Sequence, residues 1–213
     1  MPSTVPEHAN SNLEPTNVNL PISRPTPIRA VCFDAFGTVI QYRVRRRPYR
    51  LLRDAFDAEA LMTRDTPITQ LLEEAGLGDS VDEALEGLRE EFRHCSLFDE
   101  VPEVMSSLHA RGMKVAICSN LAHAYGPLVR QLLPDVDATL LSYEVGAIKP
   151  QPAIYQAVCQ ALDLPAESVF FTGDSRECDY LGPQSIGMPS AWLDRASGQT
   201  LHDVLAAVMR HTG

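Results

Sequence analysis

The chain has 213 residues, of which 45% are hydrophobic, and its formal net charge at pH 7 is −10. This length allows one ordinary domain with a small insertion, and the acidic charge argues against a general binder of nucleic acids or membrane surfaces. No apolar run approaches the ~18 residues of a membrane span, and the N-terminus lacks the basic and apolar regions of a secretory signal. We therefore expect a cytoplasmic protein whose partners are neither nucleic acids nor membranes.

The first 27 residues contain six prolines among Asn, Ser, Thr and Glu, and this composition predicts a disordered tail. The next segment, Ile28 to Val39, reads IRAVCFDAFGTV. Its short apolar run predicts a buried strand of a parallel sheet that ends at Asp34. Open α/β sheets place their chemistry at the carboxyl ends of such strands, so Asp34 is the first candidate active-site residue.

Residues 45–95 predict a small helical insertion. Its helices are expected from Pro48 to Ala60, from Pro67 to Ala75 and from Ser80 to Phe92. Helices and strands then alternate, in the order helix Leu97–Gly112, strand Lys114–Asn120, helix Tyr125–Leu133, strand Ala138–Tyr143, helix Pro152–Leu162, strand Ser168–Thr172, a short helix, strand Pro189–Leu193 and helix Thr200–Arg210. This alternation predicts an α/β fold with a parallel sheet, built from residues 28–44 and 96–213.

Polar residues follow or end several of these predicted strands and loops. They are Asp34, Ser119 with Asn120, Lys149, and Asp174 with Asp179. Because equivalent strand ends meet at one edge of a parallel sheet, these groups should form an anionic pocket that also holds a hydroxyl and an ammonium group. Clustered carboxylates of this kind suit Mg²⁺, which would let Asp34 approach a phosphoryl group.

The pattern resembles the haloacid dehalogenase superfamily, whose four motifs are matched in order. The segment that resembles motif one is Asp34-Ala35-Phe36-Gly37-Thr38-Val39, and the one that resembles motif two is Ser119-Asn120. Motif three is matched by Lys149-Pro150, and motif four is matched by Gly173-Asp174-Ser175 through Asp179. The resemblance covers about residues 28 to 195 and implies a Rossmann-like core, a C1-type cap after the first strand, and Asp34 as covalent nucleophile. It also implies Mg²⁺ ligands at Asp34, the main-chain carbonyl of Phe36, Asp174 and Asp179, although a supporting role suits Asp179 equally well.

Phe36 departs from the phosphatases of that superfamily, which carry a second aspartate at this position as general acid and base. A missing general acid typically costs ~10²–10⁴-fold in rate. The aromatic residue resembles the 2-haloacid dehalogenases instead, whereas Gly173-Asp174 resembles the metal-binding form of motif four. We expect a Mg²⁺-dependent phosphatase acting on a small phosphorylated metabolite. The alternatives are a 2-haloacid dehalogenase and a catalytically silent domain that binds a phospho-ligand or a protein.

Two further features leave alternatives open. Residues 43–53 contain six arginines, which form either a solvated face or a positive rim for an anionic substrate. The five cysteines contain no C-x-x-C pair, which favours reduced thiols over a disulfide framework or a zinc site.

Overall fold

The structure, a computed structural model, describes residues 26–210. The predicted disordered tail, residues 1–27, lies outside this range except for its last two residues. In chain order the described residues form β1 (Ala30–Phe33), β2 (Ile40–Tyr42), α1 (Ala58–Thr63), α2 (Ile68–Glu74), α3 (Val81–Arg93), β3 (Cys95–Leu97), α4 (Val101–Ala110), β4 (Lys114–Ser119), α5 (Gly126–Leu132), β5 (Ala138–Leu141), α6 (Ser142–Val145), α7 (Pro152–Leu162), β6 (Val169–Gly173), α8 (Gly182–Gln184), β7 (Ser190–Trp192) and α9 (Leu201–Arg210).

Five of these strands form one parallel sheet in the order β5-β4-β1-β6-β7, which confirms the predicted α/β fold. In this sheet Phe33 lies level with Ile117 of β4 and Thr172 of β6. The chain therefore leaves β1 at Asp34, within about two residues of the points where β4 ends at Ser119 and β6 ends at Gly173. This register gathers the predicted site residues at one edge of the sheet.

Side chains of β1 alternate between two apolar layers, as a strand buried on both faces requires. Val31 and Phe33 pack in the layer that contains α4, α5 and α9, whereas Ala30 and Cys32 pack in the layer of α7. All four residues are fully buried, so the central strand is a rigid base for the polar loop that follows it.

The insertion between β1 and α4 differs from its prediction in two places. A short antiparallel ribbon, β2 with β3, leads into and out of the insertion, and sequence reasoning missed it. The helix predicted from Pro48 to Ala60 is wrong: a 3-10 turn at Pro48–Leu52 is separated from α1. The break occurs because the Asp57 side chain accepts a hydrogen bond from the Ala60 N–H and so begins a new helix.

Three other predicted boundaries shift. The helix expected from Leu97 begins at Val101, because Cys95–Leu97 pairs with β2. The strand expected to reach Tyr143 ends at Leu141 and gives way to α6, and the short helix expected after Asp174 is a π-helical segment followed by α8. None of the helices in residues 26–210 combines the length and apolar content needed to cross a bilayer.

Candidate active site

The centre of the site is a buried lysine held between two aspartates. Lys149 Nζ lies 2.7 Å from Asp34 Oδ1 and 2.6 Å from Asp179 Oδ1, and the lysine side chain is 2% exposed. Ser119 Oγ donates a second hydrogen bond, of 2.8 Å, to the same Asp34 oxygen. Asp34 Oδ1 is therefore fixed by two donors, which leaves Oδ2 as the oxygen that can react or bind a cation.

Asn120 positions this lysine through its main chain. Its side-chain amide donates to the Lys149 carbonyl at 2.9 Å and accepts from the Lys149 N–H at 2.8 Å. Burial by itself lowers the pKa of Lys149, but the charges of Asp34 and Asp179 outweigh it and raise the pKa well above its ordinary value. The ammonium therefore stays charged at neutral pH, so the site always contains one fixed positive charge.

Asp179 supports the lysine with both of its oxygens occupied. One accepts from Lys149 Nζ, and the other accepts a 2.9 Å hydrogen bond from the Ser175 N–H. The carboxylate packs against Gly173, where a Cβ atom would lie 2.4 Å from Asp179 Oδ2. Burial raises the pKa of Asp179 to about 6 in spite of Lys149, and the charge of Asp34 adds to the rise.

Asp174 is held differently, with its main chain anchored and its side chain partly exposed. Its N–H donates to Thr38 Oγ1 at 3.1 Å, and its carbonyl accepts from Trp192 Nε1 at 2.9 Å. The carboxylate lies over Gly37, whose φ of +87° and lack of a Cβ permit the contact: a Cβ there would lie 2.2 Å from Asp174 Oδ2. Among the side chains that the structure describes, no basic group lies within 4.0 Å of this carboxylate.

The three aspartates form an oxygen-rich cluster that fits a divalent cation. Asp34, Asp174 and Asp179 each offer a carboxylate oxygen, and these oxygens lie within 4.8 Å of one another. Partial burial and the nearby charge of Asp34 raise the pKa of Asp174, as expected for crowded carboxylates. The hydrogen bonds of the turn after Asp34 use the Ala35 carbonyl and the Gly37 N–H, and within the described residues none uses the Phe36 carbonyl. Oxygen donors of this kind suit Mg²⁺.

Phe36 belongs to an aromatic group rather than to the polar cluster. Its ring lies 5.6 Å from Tyr42 and 5.8 Å, edge to face, from Tyr125. Tyr125 in turn contacts Tyr49 and Phe92 of the insertion. The position two residues after Asp34 therefore presents an apolar ring where an acid could have donated a proton.

Polar contacts fix the insertion against the core beside these rings. Glu91 of α3 is buried and accepts a 2.7 Å hydrogen bond from the Tyr125 hydroxyl and a 2.6 Å hydrogen bond from the Arg47 N–H. The Tyr49 hydroxyl accepts from the Ala124 N–H at 3.2 Å. Burial and then Glu91 raise the pKa of Tyr125, so its hydroxyl stays protonated as the donor.

A cavity of about 520 Å³ lies between the insertion and the strand-end loops. Phe36 and Asn120 contribute to its wall, which connects it with the loops that carry the polar cluster. A larger groove, about 770 Å³, is lined only by residues of the insertion and shares Arg47, Arg50 and Arg53 with the smaller cavity. Asp34 and Lys149 do not line the smaller cavity, which reaches the strand-end loops at Phe36 and Asn120.

The structure brings together Asp34, Ser119, Asn120, Lys149, Asp174 and Asp179, all of them expected from the sequence, although their chemical roles stay predictions. Sequence reasoning assigned no role to Thr38 or Ser175, which lie inside the quoted motifs and hold Asp174 and Asp179. It also missed Glu91 and the aromatic group. No local sequence pattern indicates the contacts of Glu91 and the aromatic rings, because the partners come from segments far apart in the chain.

The chain matches the haloacid dehalogenase-like hydrolase family over residues 28–187 and belongs to that family. It is 27% identical over 149 residues to the phosphoserine phosphatase of Thermus thermophilus, a match that covers 67% of this chain and 59% of that protein. It is 34% identical over 101 residues to an (S)-2-haloacid dehalogenase of a Pseudomonas species, covering 46% and 43%. The chain spans about half the length of the curated relatives it matches.

A solved structure with a similar fold is a family enzyme from Bacteroides thetaiotaomicron, in complex with magnesium and inorganic phosphate. Its TM-score is 0.62 at 17% identity, and the match covers 83% of this chain and 98% of that one. Identity this low establishes a shared fold alone. The predicted family and fold are thus confirmed, and the relatives include both phosphatases and dehalogenases.

Proposed function

We propose that this protein is a Mg²⁺-dependent phosphatase that hydrolyses small organic phosphate esters through an aspartyl-phosphate. The observation that carries the proposal is the carboxylate cluster: three ionised carboxylates and one ammonium group have a net charge of −2. Clustered carboxylates are hard to keep ionised without a cation. The 2-haloacid dehalogenase reaction does not need such a cation, because Asp34 attacks a neutral carbon centre and no second anion has to approach it.

Asp34 is the proposed nucleophile. Its free oxygen, Oδ2, attacks phosphorus and the ester oxygen leaves; water then attacks the aspartyl-phosphate and releases inorganic phosphate. Lys149 and Ser119, which hold Oδ1, also provide the donors that can stabilise phosphoryl oxygens as charge develops. Asp179 and Asn120 keep the lysine in place.

Asp34, Asp174 and the main-chain carbonyl of Phe36 are the proposed Mg²⁺ ligands. Asp179 has both oxygens engaged, so its supporting role is favoured over direct ligation. Unit charges about 4 Å apart repel by roughly 4 kcal/mol at an effective dielectric of 20, which is the scale of the repulsion between Asp34 and a phosphate group. A bound Mg²⁺ supplies the positive charge that offsets this repulsion.

The insertion, residues 45–95, is proposed to act as a C1-type cap over the strand ends. It has its own apolar cluster, formed by Leu52, Leu61, Ile68, Leu71, Leu72, Ala84 and Leu88. Tyr125 and Ala124 of the core pack against that cluster. The division into a core of 28–44 and 96–213 and a cap of 45–95 is part of this proposal.

The second candidate function is that of a 2-haloacid dehalogenase. The observation that favours it is Phe36, whose ring gives the first strand-end loop an apolar lining without a proton donor. In that reaction Asp34 attacks the carbon that bears the halogen, halide leaves, and water hydrolyses the resulting ester.

Calorimetric titration of metal-free protein with Mg²⁺ tests the proposed function. We expect saturable binding at millimolar concentration or below, and Asp174→Asn should weaken it at least roughly tenfold because a charged ligand is lost. Phosphate release from an aryl phosphate should require the metal. Absence of Mg²⁺ binding, with chloride released from 2-chloropropionate in the presence of a chelator, would replace the phosphatase with the dehalogenase.

Phe36 predicts a dependence on the leaving group. An aryl phosphate needs little protonation of its leaving oxygen, whereas an alkyl phosphate needs a proton that Phe36 cannot supply. Phe36→Asp should therefore increase kcat on alkyl phosphates more than on aryl phosphates, up to roughly 10²-fold. Phe36→Leu is the control, since it removes the ring without adding an acid. Equal changes of kcat on both ester types would contradict the argument that an acid is missing.

A further inference from the structure

The cavity beside the active site has an apolar interior. Aromatic and aliphatic side chains form most of its wall: Phe36, Tyr42, Tyr49, Phe56, Leu61, Met62, Leu121 and Tyr125. Its volume of about 520 Å³ lies within the usual range for sites that hold a whole small organic molecule. A polyhydroxylated group would place hydroxyls against this apolar part of the wall without partners, which is unfavourable. A flat or branched hydrocarbon group would bury apolar area instead.

Positive charge is added to this apolar wall by arginines of the insertion. Arg45, Arg47 and Arg50 line the cavity, and no carboxylate in the described residues lies within 4.0 Å of their guanidinium groups. The two acids that line the same cavity are already engaged. Asp57 caps the Ala60 N–H, and Glu91 accepts from Tyr125 and the Arg47 N–H.

Arg45 is the arginine whose position is best defined. Its guanidinium lies 3.6 Å from the centre of the Tyr42 ring, and Tyr42 contacts Phe36 at 5.6 Å. The Arg45 guanidinium therefore stacks on Tyr42, which in turn contacts the ring of Phe36, two residues after Asp34. Burial and the neighbouring Arg47 lower the pKa of Arg45, and the charges of Glu91 and Asp174 offset only part of this change.

We infer that the substrate is a phosphate ester whose alcohol part is an apolar, ring-sized group carrying a second anionic group for Arg45. The inference rests on the proposed phosphatase function and specifies its substrate class. The phosphoryl group lies at Asp34 and Lys149, the hydrocarbon body lies in the cavity, and the second anion meets the arginines. A short hydrophilic ester fills neither the cavity nor the arginine site.

Steady-state kinetics with three probe esters and saturating Mg²⁺ test the inference. The probes are 4-(carboxymethyl)phenyl phosphate, phenyl phosphate and glycerol 3-phosphate; the methylene insulates the carboxylate, so the two aryl esters have similar leaving groups. We expect KM to be lowest for the carboxylated aryl ester and highest for glycerol 3-phosphate. Arg45→Gln should raise KM for the carboxylated ester roughly tenfold or more, and raise it less for phenyl phosphate.

Arg46→Gln is the matched control. Arg46 is the next residue in the chain, but it lines the larger groove instead of the cavity and lies 3.7 Å from Glu90. Its replacement removes the same charge and should leave the KM ratio of the two aryl esters unchanged. An equal effect of both variants would show only a general electrostatic attraction and would overturn the assignment of Arg45.

Calorimetry with 4-hydroxyphenylacetate, the alcohol of the carboxylated ester, separates the two possible failures. Turnover of all three esters with equal KM, and no effect of Arg45→Gln, would overturn the substrate class and leave the phosphatase standing. Absence of turnover, with 4-hydroxyphenylacetate bound and its affinity reduced by Arg45→Gln, would overturn the phosphatase and support the cavity's ligand chemistry. Absence of both turnover and binding would overturn both.

Discussion

Asp34→Asn should lower turnover by roughly 10⁵- to 10⁶-fold, the scale for removal of a covalent nucleophile. An amide oxygen is a far weaker nucleophile than a carboxylate but has nearly the same shape. The amide oxygen can still accept the Ser119 hydrogen bond, and Lys149 keeps Asp179 as its charged partner. Purified variant and wild type should therefore differ in product release and agree within a few degrees in melting temperature.

Asp135→Asn provides the control for this experiment, because Asp135 is exposed and lies in the loop before β5, away from the strand-end cluster. It removes the same charge from the chain and should leave kcat unchanged. If Asp34→Asn retained activity comparable to the wild type, the assignment of Asp34 as nucleophile would fail for the phosphatase and the dehalogenase alike.

Lys149→Met should lower the free energy of unfolding by about 3–5 kcal/mol in metal-free protein, because it leaves the carboxylates of Asp34 and Asp179 close together and uncompensated. Methionine has a similar length and no charge, so packing changes little. Urea denaturation in the presence of a chelator measures the loss. Added Mg²⁺ should recover part of it, since the cation binds the folded state at the same cluster.

Lys114→Met is the natural control for that measurement, as Lys114 and Lys149 are the only two lysines of the chain. Lys114 Nζ donates to the Leu162 carbonyl and forms no ion pair within residues 26–210, so its replacement should cost about 1 kcal/mol. The double variant Lys149→Met with Asp179→Asn removes one of the two carboxylates left without the lysine, and it should recover part of the lost free energy of unfolding. A loss no greater than that of Lys114→Met would show that Lys149 does not neutralise a buried cluster.

Taken together, these variants distinguish charge from shape. Asp34→Asn changes reactivity while the site stays filled, and Lys149→Met changes the balance of charge while the space stays filled. Phe36→Asp changes both properties, because it replaces an aromatic ring with a smaller acidic group. In the proposed phosphatase, activity depends on the carboxylates and their cation, whereas affinity for the substrate depends on the arginines and rings of the cavity.

The fold class and the residues of the strand-end cluster follow from local patterns in the sequence. Short β-branched runs that alternate with amphipathic segments are a local signal, and they predicted all five strands of the parallel sheet. Because equivalent ends of parallel strands share one edge, Asp34, Ser119 and Asp174 could be placed together from their positions in the strands alone. The family could also be predicted from the sequence, since its motifs are local and lie in order along the chain.

The contacts among those residues, and the side chains around them, depend on tertiary packing that no local pattern records. Lys149 donates hydrogen bonds to Asp34, 115 residues away in the chain, and to Asp179, 30 residues away. The Asn120 side chain donates a hydrogen bond to the main-chain carbonyl of Lys149. Arg45 and Arg46 are neighbours in one basic run, yet Arg45 lines the cavity and Arg46 lines the larger groove. The physical reason is that periodicity records which face of an element is buried, whereas side-chain direction and partner choice depend on packing between segments distant in the chain.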